Sequence, residues 1–368
     1  MSQSTYQVAV FRGDGIGPDV TDATIAVLEA VQKRIGGFCL DFNSYHAGAA
    51  YFRESGRDIE HGSEQAAEQA DAILLGAIGL PEIRYRDGTE IAPHLRLREQ
   101  LQLYAGVRPA RAYPNSPLPL ADPRASTIDL VIVRESTEGL FYSAAVHGRT
   151  QIANENEVRE TLRITRNTTE KLHDFAFRLA RQRKNCGRPG RVTCVDKANV
   201  FRSMAFFRKI FDERAEEYPD IFADHNYIDT QALDLIRKPW SFDVMVMENM
   251  YGDILSDLAG GLVGGMGMAA CAEIGDHHGL FQPAHGSAPD IMGRDAANPL
   301  ACILSGSLLL GYLAEKSGQD QLNCAAEMIE TAVYTGFSSG RLRPLELGGN
   351  QGTRAVAREV INILPAVD

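Results

Sequence analysis

Long hydrophobic runs are missing from this sequence. The longest apolar stretches, such as that around Leu308 to Leu313, fall well short of the roughly 20 residues a transmembrane helix needs. No membrane span is expected. Cysteine is sparse: six lie scattered at 39, 186, 194, 271, 302 and 324 with no Cys-x-x-Cys pair, which excludes a disulfide framework and suits reduced thiols. An excess of basic charge is also absent. With 37 Lys and Arg against 48 Asp and Glu, the formal charge is −11, so a broad polyphosphate-binding face is excluded and nucleic acid is not an expected partner. Any anionic ligand must be met by a local cluster of arginines. A strand-like run begins at Tyr6, before an apolar signal segment could fit, so a cytoplasmic protein is expected. Internal repeats and low-complexity tails are not found.

What is present is a chain of 368 residues, 44% apolar, large enough for two domains on a prior of about 100 to 200 residues each. Short apolar runs at Gln7 to Phe11, Ala72 to Leu75, Leu130 to Val133, Val192 to Val195 and Val244 to Met247 read as buried strands. Between them, Leu172, Phe175, Ala176, Leu179 and Ala180, and then Met204, Phe207, Ile210 and Phe211, recur at helical spacing. Alternating strand and helix predicts an α/β fold. Pro114 to Pro123 reads as an extended connection near a domain crossing, and Gly260 to Gly267 as a second hinge.

Five segments carry chemistry. Gly13-Asp14-Gly15-Ile16-Gly17-Pro18 follows a strand and opens a helix, but it has neither the dinucleotide fingerprint spacing nor a P-loop ending, and a tight turn is its ordinary reading. Arg98, Arg108 and Arg134, with His94 and Arg96 nearby, can fork onto carboxylates. The bland alternatives are a solvated helix face for Arg96 and Arg98 and a buried pair of Arg134 with Glu135. Asp253 and Asp257, one helical turn apart in Gly252-Asp253-Ile254-Leu255-Ser256-Asp257, repel each other unless a cation such as Mg²⁺ or Mn²⁺ lies between. The alternative is an N-cap at Asp253 and a surface charge at Asp257. Asp229 offers a third carboxylate. Lys197, in Val195-Asp196-Lys197-Ala198-Asn199, stands just beyond a strand, where α/β proteins place their sites. His285-Gly286-Ser287-Ala288-Pro289-Asp290-Ile291, with Asn298 following, combines small residues with an acid able to accept from ribose hydroxyls, or is a Pro-Asp turn.

In this order the segments resemble the β-decarboxylating dehydrogenases, the family of isopropylmalate, isocitrate, homoisocitrate and tartrate/malate dehydrogenases. The resemblance runs from Gly13 to Asn298. It implies a two-domain isopropylmalate-dehydrogenase-like fold, not a Rossmann fold, with a large cofactor-binding domain from residues 1–103 and 264–368. Residues 104–263 would form a smaller substrate, metal and dimerisation domain. A homodimer with shared active sites is implied, acting with NAD and Mg²⁺ or Mn²⁺ on a small carboxylated 2-hydroxy acid. By similarity, Arg98, Arg108 and Arg134 grip the malate carboxylates. Asp229, Asp253 and Asp257 surround the metal, with Lys197 and Asp229 reaching in from the other subunit and Lys197 serving as base. Ile16, His285, Gly286, Ser287, Ala288, Asp290, Ile291 and Asn298 would hold the cofactor.

Two departures from the family pattern stand out. Family members carry a tyrosine seven residues after the arginine matching Arg134, as the acid that protonates the product; here Phe141 stands there and Tyr142 follows. Treating the segment as a strand, we expect a bulge after Gly139 that turns Tyr142 inward as the catalytic acid, the alternative being a cleft lined by Phe141. Secondly, Ile91-Ala92-Pro93-His94-Leu95-Arg96, where the family reads the 3-substituent of malate, lacks both the paired leucines of isopropylmalate enzymes and the serine of isocitrate enzymes. His94 or Arg96 would suit a polar or anionic substituent. Oxidation without decarboxylation, and a non-catalytic regulatory subunit, are the alternatives.

Overall fold

The computed structural model describes residues 4–145 and 152–366. Ten strands form one sheet in the order Phe38–Tyr45, Ser4–Gly13, Ala72–Ala77, Gly279–Pro283, Ala270–Ile274, Ala105–Arg111, Asp129–Glu135, Val244–Met247, Arg191–Asp196 and Phe222–Tyr227. The first four run parallel, as do the last four. Between these wings, Ala270–Ile274 and Ala105–Arg111 pair antiparallel to each other and to their outer neighbours. The central reversal points the carboxyl ends of the two parallel wings in opposite directions, which no doubly wound Rossmann sheet does. The five strands of one half come from residues 4–77 and 270–283, and those of the other from 105–247.

Each strand expected from an apolar run lies inside a strand, and Val244–Met247 is buried throughout because helices Arg166–Asn185 and Asn249–Leu262 cover its two faces. Helices cover the sheet. Arg202–Ala215 buries Met204, Phe207, Ile210 and Phe211 as the spacing requires. In Arg166–Asn185 the buried stripe is Leu172, Ala176, Phe177 and Ala180. Phe177 thus replaces Phe175 and Leu179, which are only partly buried, because its ring stacks on Phe211 and Tyr218 at 5.1 and 4.9 Å. Helix Leu300–Ser317 is buried almost all round against Ala270–Ile274 and Gly279–Pro283, which explains its near-continuous apolar sequence. Among the described residues no helix is long and apolar enough to cross a membrane.

Phe211 is fully buried and touches Phe177 and His173. Phe211→Ala should therefore lower unfolding stability by about 3–5 kcal/mol, measured as a shift in urea midpoint at unchanged slope.

Candidate active site

Three arginines converge at the centre of the sheet. Arg108 lies in Ala105–Arg111, Arg134 in Asp129–Glu135, and Arg98 on helix Pro93–Gln100. Their exposures are 6%, 2% and 4%, so none is a solvated surface charge. They gather around Glu273, fully buried in Ala270–Ile274. Arg98 Nη2 stands 3.0 Å and Arg108 Nη2 3.8 Å from Glu273 Oε1. Burial pushes the Glu273 pKa up, but Arg98, Arg108 and Arg134 outweigh it and hold the group below the usual carboxylate value. Gly106 pairs with both Glu273 and Arg134 across the sheet. A Cβ there would come within 2.9 Å of Glu273 Oε2 and 3.4 Å of Arg134 Cβ, so the charge cluster depends on this glycine having no side chain. Glu273 meets one of these three positive charges; the other two face Asp253 and Asp257, or a dicarboxylate where a cation draws those two carboxylates away. The sequence reading missed Glu273, whose signal was a lone acid inside the apolar run Met268 to Ile274.

Helix Asn249–Leu262 closes the cluster from one side. Arg134 does not pair with Glu135; its Nε donates to Asn249 Oδ1 at 2.9 Å and its Nη1 to Asp253 Oδ1. Burial first, then Arg108, draw the Arg134 pKa down to about 10, against the pull of Asp253. Glu135 instead accepts from the backbone N–H groups of Thr137 and Glu138, each at 2.7 Å. Nor is Asp253 the helix cap, since Glu248 holds that place and accepts from Met250 N at 3.1 Å. Asp253 and Asp257 both stand partly open to solvent, with Arg108 Nη1 at 3.6 and 3.8 Å from their Oδ1 atoms. Burial and the neighbouring Asp253 raise the Asp257 pKa despite Arg108. Two hard-oxygen donors with an open side suit a divalent ion that keeps positions for water and ligand. Among the described residues, however, no three acidic, His or Cys side chains of one chain gather as a metal site. Asp229 is elsewhere, with Lys197 Nζ 2.6 Å from its Oδ1, a pair that lowers the Asp229 pKa.

The segment after Gly139 is not a strand. Gly139 takes φ +68°, and the chain enters the short helix Phe141–Ala145. The ring over the Arg134 guanidinium, at 4.8 Å, is that of Phe141. Tyr142 lies over Arg163 at 3.9 Å. The inward turn of Tyr142 expected from a bulge is therefore replaced by a helical turn, in which successive side chains diverge by about 100° rather than alternating. Arg96 is likewise turned from the cluster: it donates to Asp58 at 2.8 and 3.2 Å and to Glu64 at 2.7 Å. His94, half-buried four residues before Arg98, lies within the fields of Arg98, Glu273 and Arg134, and burial chiefly drives its pKa to about 3.

A second group forms around the first glycine turn. Ile16 N–H donates to Ser287 O at 2.8 Å, and Ser287 Oγ donates to Gly79 O. A Cβ on Gly15 would lie 2.0 Å from Ser287 O, so the glycine serves this close approach. Asp14, which the sequence reading left without a role, accepts from the N–H groups of Ala49, Ala50 and Gly79 at 2.7 to 2.8 Å. Ala288 adopts φ +38°, and Asp290 projects to solvent beside it on the short turn Pro289–Ile291. A Cβ at Gly286 would meet nothing within 4 Å, and His285 Nε2 is buried without a partner. Asn298 Nδ2 donates to Glu346 Oε2 at 3.0 Å, and Glu346 Oε1 accepts from Gly267 N. The open backbone and exposed acid fit a nucleotide ribose approaching between the two loops.

Gly252 sets the position of Arg134, because a Cβ there would lie 2.6 Å from Arg134 Cβ. Gly252→Ala should lower the melting temperature, since overlap with the stem and Cα of Arg134 costs about 1–3 kcal/mol against the about 1 kcal/mol that alanine gains in a helix interior. Activity should fall about 100-fold through displacement of the arginine. Steady-state kinetics beside thermal melting checks both.

Comparison with known proteins agrees with this geometry. The Isocitrate/isopropylmalate dehydrogenase family matches residues 7–363. A 3-isopropylmalate/3-methylmalate dehydrogenase of Methanocaldococcus jannaschii is 42% identical over 96% of this chain and 98% of its own. A 3-isopropylmalate dehydrogenase of Aquifex aeolicus is 36% identical over 92% and 91%. Among solved structures, an isocitrate dehydrogenase from Methylococcus capsulatus superposes with TM-score 0.85 at 32% identity, covering 98% of this chain and 99% of that one. A β-decarboxylating dehydrogenase from Thermococcus kodakarensis gives 0.76 at 35%, covering 98% and 96%. With a match over nearly its whole length and relatives well above 30% identity, the chain belongs to the isocitrate/isopropylmalate dehydrogenase family and is a β-decarboxylating dehydrogenase.

Proposed function

We propose that this enzyme oxidises a 3-substituted malate with NAD and a divalent ion, and that loss of carbon dioxide follows. The observation that carries the reading is the buried cluster of three arginines beside two carboxylates one turn apart. Arg98, Arg108 and Arg134 would hold the two malate carboxylates, with forks that fix their planes. Asp253 and Asp257 would hold Mg²⁺ or Mn²⁺. When bound, NAD would supply a hydride acceptor and the divalent ion would supply Lewis acidity. Lys197 removes the C2 hydroxyl proton. The C3 carboxylate then leaves as carbon dioxide and C3 takes up a proton. Asp290, with Ile16, His285 to Ala288, Ile291 and Asn298, would hold the nucleotide. We assign the cofactor domain to residues 1–103 and 264–368, and the substrate domain to 104–263.

A second copy of the chain completes the site in this reading. Lys197 and Asp229 face each other rather than Asp253. Around them Val200, Phe201, Leu233, Ile236 and Ile254 are between 46% and 61% exposed, an apolar face suited to an isologous dimer. The partner's Lys197 and the partner's Asp229 would then join Asp253 and Asp257.

Two experiments test these assignments. Purified enzyme with Mn²⁺ should form NADH and carbon dioxide in equal amounts from one member of a 2-hydroxy diacid panel, and should lose turnover in chelator. NAD should exceed NADP in kcat/KM, because Asp290 repels a 2′-phosphate, and Asp290→Ala should narrow the gap. NADH without carbon dioxide would favour simple oxidation of the tartrate/malate type, the reading that Phe141 on Arg134 supports. In that case Phe141→Tyr should restore decarboxylation. Secondly, Lys197→Met and Asp253→Asn should each be inactive alone, while co-expression restores activity through one intact site per heterodimer. Absence of restored activity in a purified heterodimer would place both groups in a site within one chain.

A further inference from the structure

Helix Asn249–Leu262 meets the arginines with two kinds of side chain. Asn249, Asp253 and Ser256 follow the spacing i, i+4 and i+7 and so lie on one face, with Asp257 beside them. The acids stand partly open to solvent, whereas Asn249 and Ser256 are only 0% and 6% exposed.

Each neutral side chain holds one arginine. Arg108 Nη1 donates to Ser256 Oγ at 2.8 Å, closer than Asp253 and Asp257 at 3.6 and 3.8 Å, or Glu273 at 3.8 Å from Nη2. The Ser256 hydroxyl gives its own proton to Asp253 O at 3.0 Å, so its lone pairs face the guanidinium. Asn249 is fixed at both ends of its amide: Oδ1 accepts from Arg134 Nε, and Nδ2 donates to Glu138 O, each at 2.9 Å. That second bond ties Arg134 to the turn at Gly139, from which the helix carrying Phe141 starts.

The two kinds of partner respond differently to a cation. With a divalent ion bound, Asp253 and Asp257 turn oxygens toward it that otherwise face Arg134 and Arg108. An amide oxygen and a hydroxyl oxygen carry no charge, bind a hard divalent ion less strongly, and leave the guanidinium charge undiminished. They keep the arginine planes in place when the carboxylates turn away, and a dicarboxylate then meets guanidiniums already oriented.

We propose that Asn249 and Ser256 are positioning residues, which hold Arg134 and Arg108 for a dicarboxylate while Asp253 and Asp257 turn to the metal. The inference rests on the malate reading above and adds how one helix face serves metal and substrate together.

The test compares Ser256→Ala, Ser256→Thr and Asn249→Ser with the parent. Mn²⁺ is titrated without substrate by electron paramagnetic resonance, and kinetics use whichever of 3-isopropylmalate, 3-methylmalate, tartrate and isocitrate the parent oxidises fastest. Without the hydroxyl, Arg108 turns to the carboxylates and competes with the cation, so in Ser256→Ala the Mn²⁺ Kd should rise about 5-fold or more. The KM of the diacid should rise at least about 10-fold in Ser256→Ala and in Asn249→Ser, with kcat and the KM of NAD within about 2-fold. Ser256→Thr keeps the hydroxyl and should restore both Kd and KM. An unchanged Mn²⁺ Kd or an unchanged diacid KM in Ser256→Ala would overturn the proposal. Equal rises in the KM of NAD and of the diacid would also overturn it, since they mark a general loosening of the fold. Should Asn249→Ser fail to fold, Ser256→Ala decides. Turnover of none of the four diacids by the parent would overturn the malate reading, and the Mn²⁺ titration, which needs no substrate, would still decide the role of Ser256.

Discussion

The contact on which the site depends is the buried carboxylate of Glu273 among Arg98, Arg108 and Arg134. Removing these charges from water is costly, and an ion pair seldom repays that cost through attraction alone. Its value here is positional. Glu273 stands on a strand from the C-terminal part of the chain, while Arg108 and Arg134 stand on neighbouring strands from the middle part. The carboxylate therefore fixes where the two halves of the sheet meet, and it gathers the guanidiniums while neutralising only one of their three charges.

Small residues make that arrangement possible. Gly106 leaves room for the Glu273 carboxylate, and Gly252 lets helix Asn249–Leu262 lie against the stem of Arg134. With the helix that close, Asp253 reaches Arg134 and Arg108, and Asp257 follows one turn later. The same logic governs the other loop cluster, where Gly15 admits the carbonyl of Ser287 and Gly48 faces the Asp14 carboxylate. In both places a backbone approach too close for any Cβ brings polar groups into contact.

The site of a single chain is asymmetric in its equipment. The three buried arginines and the Asp253–Asp257 pair are assembled, whereas Lys197 and Asp229 neutralise each other at a partly apolar surface. That surface and the exposed helix faces beside it are what association with a second copy would cover. The helical turn at Phe141 adds a constraint of its own, since it presents an aromatic ring where the family pattern has a hydroxyl.

Much of this was legible in one dimension. Apolar runs of strand length located the buried strands because a strand covered on both faces has no polar side. The motif order carried the family, since each motif keeps its chemistry in local sequence. Arg98, Arg108 and Arg134 were legible as candidate carboxylate forks, and the fold brings the three together around Glu273. Only the tertiary structure decided who their neighbours are. Glu273 lies 139 positions after Arg134 (273 − 134) and meets the arginines through the strand order. Tyr142 was misplaced because the expected strand is a helical turn, which leaves Phe141, the other candidate for that place, on Arg134. Arg96 and His94 sit two residues apart and were equally eligible in sequence. The helix turns them to different sides, and Asp58 and Glu64, distant in sequence, fix the side of Arg96. Sequence determines which chemical groups are available; the fold decides which charges meet, because electrostatic interaction depends on distance in space.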